Sequence, residues 1–87
     1  MKIEKIFNVK NKIIVITGGS GLLGRTVSKS LNVNGAKVII IDNKVKKFNK
    51  GIDFYLCNLE SVNEIKRTAE KIQKKYKSID VLINNHQ

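Results

Sequence analysis

Proline is absent from this 87-residue chain, cysteine occurs once, and acids are few, 7 against 17 lysines and arginines. With no proline and no Gly/Ser-rich stretch, nothing marks a linker. Residues 1–87 are therefore expected to form a single small domain, of a size that buries only a modest fraction of its surface. The lone Cys57 excludes a disulfide within the chain, and no metal-ligand spacing exists. It reads as a small buried hydrophobe near a strand end. No apolar run approaches the roughly 18 residues of a membrane span, and residues 1–12 lack the apolar core of a signal peptide. These absences point to a soluble, cytoplasmic chain with no metal and no membrane partner.

The formal net charge is +10. Two basic groups stand out: Lys44, Lys46, Lys47 and Lys50 in one loop, and Lys66, Arg67, Lys71, Lys74, Lys75 and Lys77 along one helix. Neither is interleaved with aromatics or set in a recognition motif, so they read as a solvated loop and a solvated helix face, with no nucleic-acid partner.

What is present is more specific. Ile13, Ile14, Val15 and Ile16 form an unbroken apolar run, the pattern of a strand buried on both faces. The turn Thr17-Gly18-Gly19-Ser20-Gly21-Leu22-Leu23-Gly24 follows it. A helix over about 21–34 carries Leu23, Val27 and Leu31 on one face, and Gly35 closes it. A second strand over 38–41 ends at Asp42, which lies 18 positions after Gly24. A dinucleotide-binding βαβ unit has this layout, with the acid about 20 residues on. Gly18 permits the sharp exit from the strand. Gly21 leaves room for a pyrophosphate to approach the backbone, and Gly24 lets the helix pack close. The first N–H groups of that helix face the phosphates, and Asp42 accepts the ribose hydroxyls.

The rest of the chain continues the alternation. Residues 43–51 read as a polar loop in place of a helix. Residues 52–56 read as a strand with Phe54 and Leu56 on one face and Tyr55 on the other. Ser61 and Glu64 match a capping box. The helix they open carries Val62, Ile65, Ala69, Ile72 and Tyr76 as one apolar packing stripe. Val81, Leu82 and Ile83 form a fourth strand. Right-handed crossovers give an α/β, Rossmann-like parallel sheet in the order 3-2-1-4, an incomplete doubly wound fold.

Over nearly all of residues 7–87 the chain resembles the N-terminal part of a short-chain dehydrogenase/reductase. Residues 7–12 resemble the family's lead-in. Thr17-Gly18 and Gly24 match the opening and closing of its cofactor turn. Asp80 with Asn84-Asn85 resembles its strand-four motif of an Asp, a hydrophobic strand and Asn-Asn-Ala-Gly. The resemblance implies a nicotinamide cofactor, and Asp42 matches the acid that selects NAD over NADP. It also implies cofactor contacts from Thr17 to Gly24 (Ser20 included), Asp42, Asn43, Asn58, Leu59, Asn84 and Asn85. Three departures stand out. The middle glycine is Gly21, one position early, a GxxGxxG spacing shared with epimerase-like relatives. Asn58 stands where the family has an Asp contacting adenine. His86-Gln87 replaces Ala-Gly.

In the family a later Tyr is the general acid/base, and a Lys four residues on lowers its pKa. Here Tyr55 is followed four residues later by Leu59, and Tyr76 by Asp80. His86 has no visible orienting partner. No catalytic residue is assigned. The leading expectation is therefore the NAD-binding portion of a truncated dehydrogenase, inactive alone and completed by a missing C-terminal part or a partner subunit. Two alternatives stay open: a non-catalytic module that holds an adenosine nucleotide, and a fragment of an NAD-dependent sugar-nucleotide epimerase or dehydratase.

Overall fold

The computed structural model describes residues 8–19, 21–44 and 51–85. The chain runs β1 (Ile13–Thr17), α1 (Leu22–Val33), β2 (Lys37–Asp42), β3 (Ile52–Leu56), α2 (Val62–Tyr76) and β4 (Val81–Asn84). All strands pair in parallel, in the order β3-β2-β1-β4. The register sets Ile14 beside Val38 and Val81, and Ile40 beside Phe54. The order expected from crossover handedness is thus the order observed. Residues 45–50 of the expected polar loop lie outside the described residues.

The two helices cover opposite faces. Alternate residues of a strand point to opposite sides, and the central strands are apolar on both. Ile14, Ile16, Val38 and Ile40 pack with Leu31 and Val27 of α1. Val15 and Ile39 pack with Ile72 and Tyr76 of α2. Phe54 and Tyr55 fall on opposite faces as the alternation requires, Phe54 on the α1 side and Tyr55 on the α2 side. Cys57 is buried, as expected. Leu56, expected beside Phe54, is exposed at the strand's end.

Helix α1 ends in a Schellman arrangement. The Ala36 N–H donates to the Leu31 carbonyl and the Gly35 N–H to the Asn32 carbonyl, both at 3.1 Å. Gly35 has φ +93, a conformation that L side chains rarely adopt. Ala36 and Leu31 then sit together in the core. Helix α2 opens as the capping box predicts on one side only: the Ser61 hydroxyl accepts from the Glu64 N–H at 3.3 Å. The Glu64 carboxylate does not return to Ser61. It accepts from the Asn58 N–H at 3.1 Å, while the Ser61 N–H donates to the Asn58 carbonyl at 3.0 Å.

Both expected apolar stripes are only partly covered. On α1 the buried positions are Gly24, Ser28 and Leu31, while Leu23 is exposed. The helix meets the turn through glycine, so Leu23 falls outside the contact. Ser28 tolerates full burial because its hydroxyl donates to the Gly24 carbonyl at 2.6 Å. On α2, Ile72 is buried and Tyr76 packs on the sheet, but Val62 and Ile65 are exposed. The amino-terminal half of α2 instead borders an open apolar cavity of about 530 Å³, walled by Ile65, Thr68, Ala69, Ile79 and Leu82 among others. The α2 basic face is solvated as expected, Lys75 included. That side chain bonds Asp53 at 3.0 Å and lies 5.3 Å from the Tyr76 ring centroid.

Candidate functional site

The site is built at the carboxyl ends of β1 and β2, where open parallel sheets present their ligands. Gly18 leaves β1 with φ +68, and its N–H donates to the Ile41 carbonyl at 2.8 Å. The turn therefore grips β2 as it departs β1. A Cβ on Gly19 would lie 2.7 Å from Ile40 Cδ1, and one on Gly24 would lie 2.6 Å from the Gly19 Cα. Gly24 thus permits close packing as expected, and the surface it packs on is Gly19. Gly21 differs from both: a Cβ there would meet nothing within 4 Å. Its freedom is not needed for packing, so the space above it is open to a ligand. Ser20 lies outside the described residues.

Gly21 is the N-cap of α1 and provides no side-chain cap, and no acid sits in the first turn. A helix start without these features leaves backbone N–H groups and the positive end of the dipole for an external anion. Leu22 and Leu23 flank this opening and are highly exposed, Leu22 at 87%.

Asp42 closes β2 almost buried, and its carboxylate accepts from the Asn43 N–H at 2.7 Å. The Cys57 N–H donates to the Asp42 carbonyl at 2.8 Å, which brings the end of β3 and Asn58 alongside. Asn58 is exposed, and Leu59 is half-buried in the wall of the apolar cavity. Asn43 and Lys44 are exposed, while Lys46, Lys47 and Lys50 of the same loop lie outside the described residues.

Asn84 and Asn85 reach the site from β4 and hold the turn. The Thr17 hydroxyl donates to Asn84 Oδ1 at 2.9 Å. The Asn85 N–H donates to the Thr17 carbonyl at 3.0 Å, and its side-chain amide donates to the Gly18 carbonyl at 3.2 Å. At the opposite end of the same strand pair, the Asp80 carboxylate accepts from the Ile13 N–H at 2.8 Å. Motif residues at both ends of β4 therefore lock it to β1. His86 lies outside the described residues. Among the described residues no cluster of His, Cys, Asp and Glu could hold a metal, and no helix is long and apolar enough to cross a membrane.

The family model for short chain dehydrogenases matches residues 12–86. The chain belongs to that family. Among its relatives is a 7alpha-hydroxysteroid dehydrogenase of Bacteroides fragilis, 37% identical over 87 residues, which covers 87% of this chain and 33% of the relative. Among solved structures, the ligand-free aldohexose dehydrogenase of Thermoplasma acidophilum superposes with a TM-score of 0.81 at 30% identity. That match covers 88% of this chain and 30% of the other. A short-chain dehydrogenase of Leptospira borgpetersenii with bound NAD+ superposes with a TM-score of 0.78 at 28% identity, covering 88% and 32%. The chain thus spans about a third of the length of the relatives it matches.

The site residues expected from sequence fall into three groups. The glycine turn, Asp42 and Asn58 line the carboxyl ends of β1, β2 and β3. Asn84 and Asn85 spend hydrogen bonds on positioning the turn. Leu59 faces the apolar cavity beside α2. Sequence reasoning missed the contact of Gly24 with Gly19, and the engagement of Glu64 with Asn58. The first had a trace, since two glycines five apart around a strand-to-helix turn mark a close approach. The second had none.

Proposed function

We propose that this chain holds NAD as the cofactor-binding portion of a short-chain dehydrogenase/reductase-type oxidoreductase. The observation that carries the reading is the uncapped start of α1 beneath the side-chain-free space at Gly21, with Asp42 at the end of the adjacent strand. These features fit a dinucleotide: an anion over the helix start and a hydroxylated sugar at the carboxylate. In this reading the backbone from Gly18 to Gly24, Ser20 included, takes the pyrophosphate. Asp42 and Asn43 take the adenosine ribose, and Asn58 and Leu59 border the base. Asn84 and Asn85 hold the turn in place on the nicotinamide side. The nicotinamide, when bound, supplies the hydride acceptor or donor for an alcohol or carbonyl.

Asp42 favours NAD over NADP, because a carboxylate repels a 2′-phosphate at short range. Lys44 alone among the described residues of that loop opposes it. The chain has no Tyr-x-x-x-Lys, so it is inactive by itself. The acid/base group comes from sequence beyond these 87 residues, in the same or a partner polypeptide. Titration of the chain with NAD and with NADP tests the reading. NAD is expected to bind more tightly, and Asp42→Ala to weaken NAD and narrow the gap. Tighter binding of NADP would refute the assignment of Asp42, and turnover of alcohols by the chain alone would refute its inactivity.

A further inference from the structure

In the proposed pose the purine lies over the turn after β3, and the polar groups of that turn decide which purines it accepts. The glycine turn ends β1, Asp42 ends β2 and Asn58 follows β3, so the three run in one direction across the sheet. A base carried by a ribose at Asp42 continues that line to Asn58, which the Cys57–Asp42 bond holds alongside.

Nearly every polar group of Asn58 is committed to the start of α2. Its N–H donates to Glu64 Oε1 at 3.1 Å, and its carbonyl accepts from the Ser61 N–H at 3.0 Å. Its side-chain Oδ1 accepts from the Glu60 N–H at 3.0 Å. That last bond is an Asx turn, and it orients the amide. The group left over is Nδ2, which only donates and has no partner among the described residues.

We infer that Asn58 determines base specificity by presenting a donor, so that the site accepts a 6-oxo purine as readily as a 6-amino purine. Adenine offers ring-nitrogen acceptors beside its 6-amino donor. On the N7 side hypoxanthine offers that ring nitrogen and the 6-oxygen, both acceptors, while its N1–H on the other side donates. An amide donor facing the N7 side serves either base. An aspartate in the same turn keeps the bond from Glu60 but can only accept. It favours the 6-amino group and repels the 6-oxygen.

The inference rests on the nucleotide reading, and the test separates the two. Binding of NAD and of nicotinamide hypoxanthine dinucleotide is measured by saturation-transfer NMR on the full chain, its Asn58→Asp variant and its Asn58→Ser variant. The full chain is expected to bind the two within about threefold of each other. Asn58→Asp is expected to shift the ratio roughly tenfold toward NAD, the scale of one mismatched polar contact. Asn58→Ser retains a side-chain acceptor for the Glu60 N–H, and is expected to weaken both dinucleotides alike without changing their ratio. A full chain that already prefers NAD tenfold, or an Asn58→Asp ratio equal to the parent's, overturns this inference alone. Binding of neither dinucleotide by the full chain overturns the nucleotide reading and the inference with it.

Discussion

Gly21 and Gly24 look alike in the sequence and differ in what surrounds them. A Cβ at Gly24 would strike the backbone of Gly19, which cannot turn aside as a side-chain tip can. Gly24→Ala should therefore destabilise the fold by about 1–3 kcal/mol, as overpacking does. Gly21→Ala has open space around it and should leave stability within about 0.5 kcal/mol while weakening dinucleotide binding. Denaturant melts of both variants, with NAD titration of the second, check the pair. A second residue-scale effect concerns Asp53, bonded to Lys37 at 3.2 Å and to Lys75 at 3.0 Å. Burial pushes its carboxyl up, but the hydrogen bonds and charges of Lys75 and Lys37 together outweigh burial and hold its pKa below the ordinary 3.8. The folded state then binds fewer protons at this group than the unfolded state. The stabilisation is present above about pH 4 and fades as pH falls through the lowered pKa. Asp53→Asn should cost at most about 1 kcal/mol at pH 7, since Lys75 is largely exposed and screened. The gap between variant and parent should narrow as pH falls through the lowered pKa of Asp53 in a pH series of thermal melts.

At the scale of elements, the start of α2 is the junction on which the site depends. Ser61 caps the helix, and Glu64 and Asn58 bond across the same turn. Removing the cap with Ser61→Ala should cost about 1 kcal/mol. Because Asn58 and Ser61 share the turn, hydrogen exchange should rise at Asn58 and Glu64 together, not along the whole helix. An unchanged exchange rate at Asn58 would show that the turn stands without its cap. The junction of β1 with β4 is built differently, from a backbone ladder reinforced by side chains at both ends. Asp80 at one end and Asn84 and Asn85 at the other tie the two strands. Those same bonds fix where the glycine turn sits, so an edge strand reaches the site through the turn it supports.

For the whole molecule, the uneven covering of the sheet is the governing feature. Parallel strands are apolar on both faces and need cover on both. Yet Ile79, Val81 and Leu82 are exposed at the β4 edge, with Leu82 at 66%, and Ile65 and Val62 are exposed on the facing helix. Ile83 is the exception, since it packs against the α1-side core. Full burial of such a side chain is worth roughly 1.5–3 kcal/mol, and each of these forgoes part of it, against a net stability of about 5–15 kcal/mol for a typical domain. The isolated chain should melt broadly and scatter light as its concentration rises. Leu82→Lys should reduce the scattering, because a charge on an edge strand blocks strand addition. A sharp, cooperative transition from a monodisperse monomer would contradict this and favour a self-sufficient binding module.

The sequence by itself determined the strand order, the placing of one helix on each face, the glycine turn, the acid at the end of β2, Gly35 as the close of α1 and the Ser61 half of the capping box. Each follows from a residue and its near neighbours in the chain: side-chain period, a cap three residues away, or the handedness of a crossover. Tertiary structure alone decided which members of each stripe are covered, so that Leu23, Val62 and Ile65 stand exposed while Ser28 and Thr68 are buried. It also decided that Gly24 meets Gly19, that Asn84 and Asn85 hold the turn, and that Glu64 bonds Asn58. Periodicity records which way a side chain points along its own helix or strand. Whether anything lies opposite depends on where the other elements end, and that is fixed only when the sheet has closed around them.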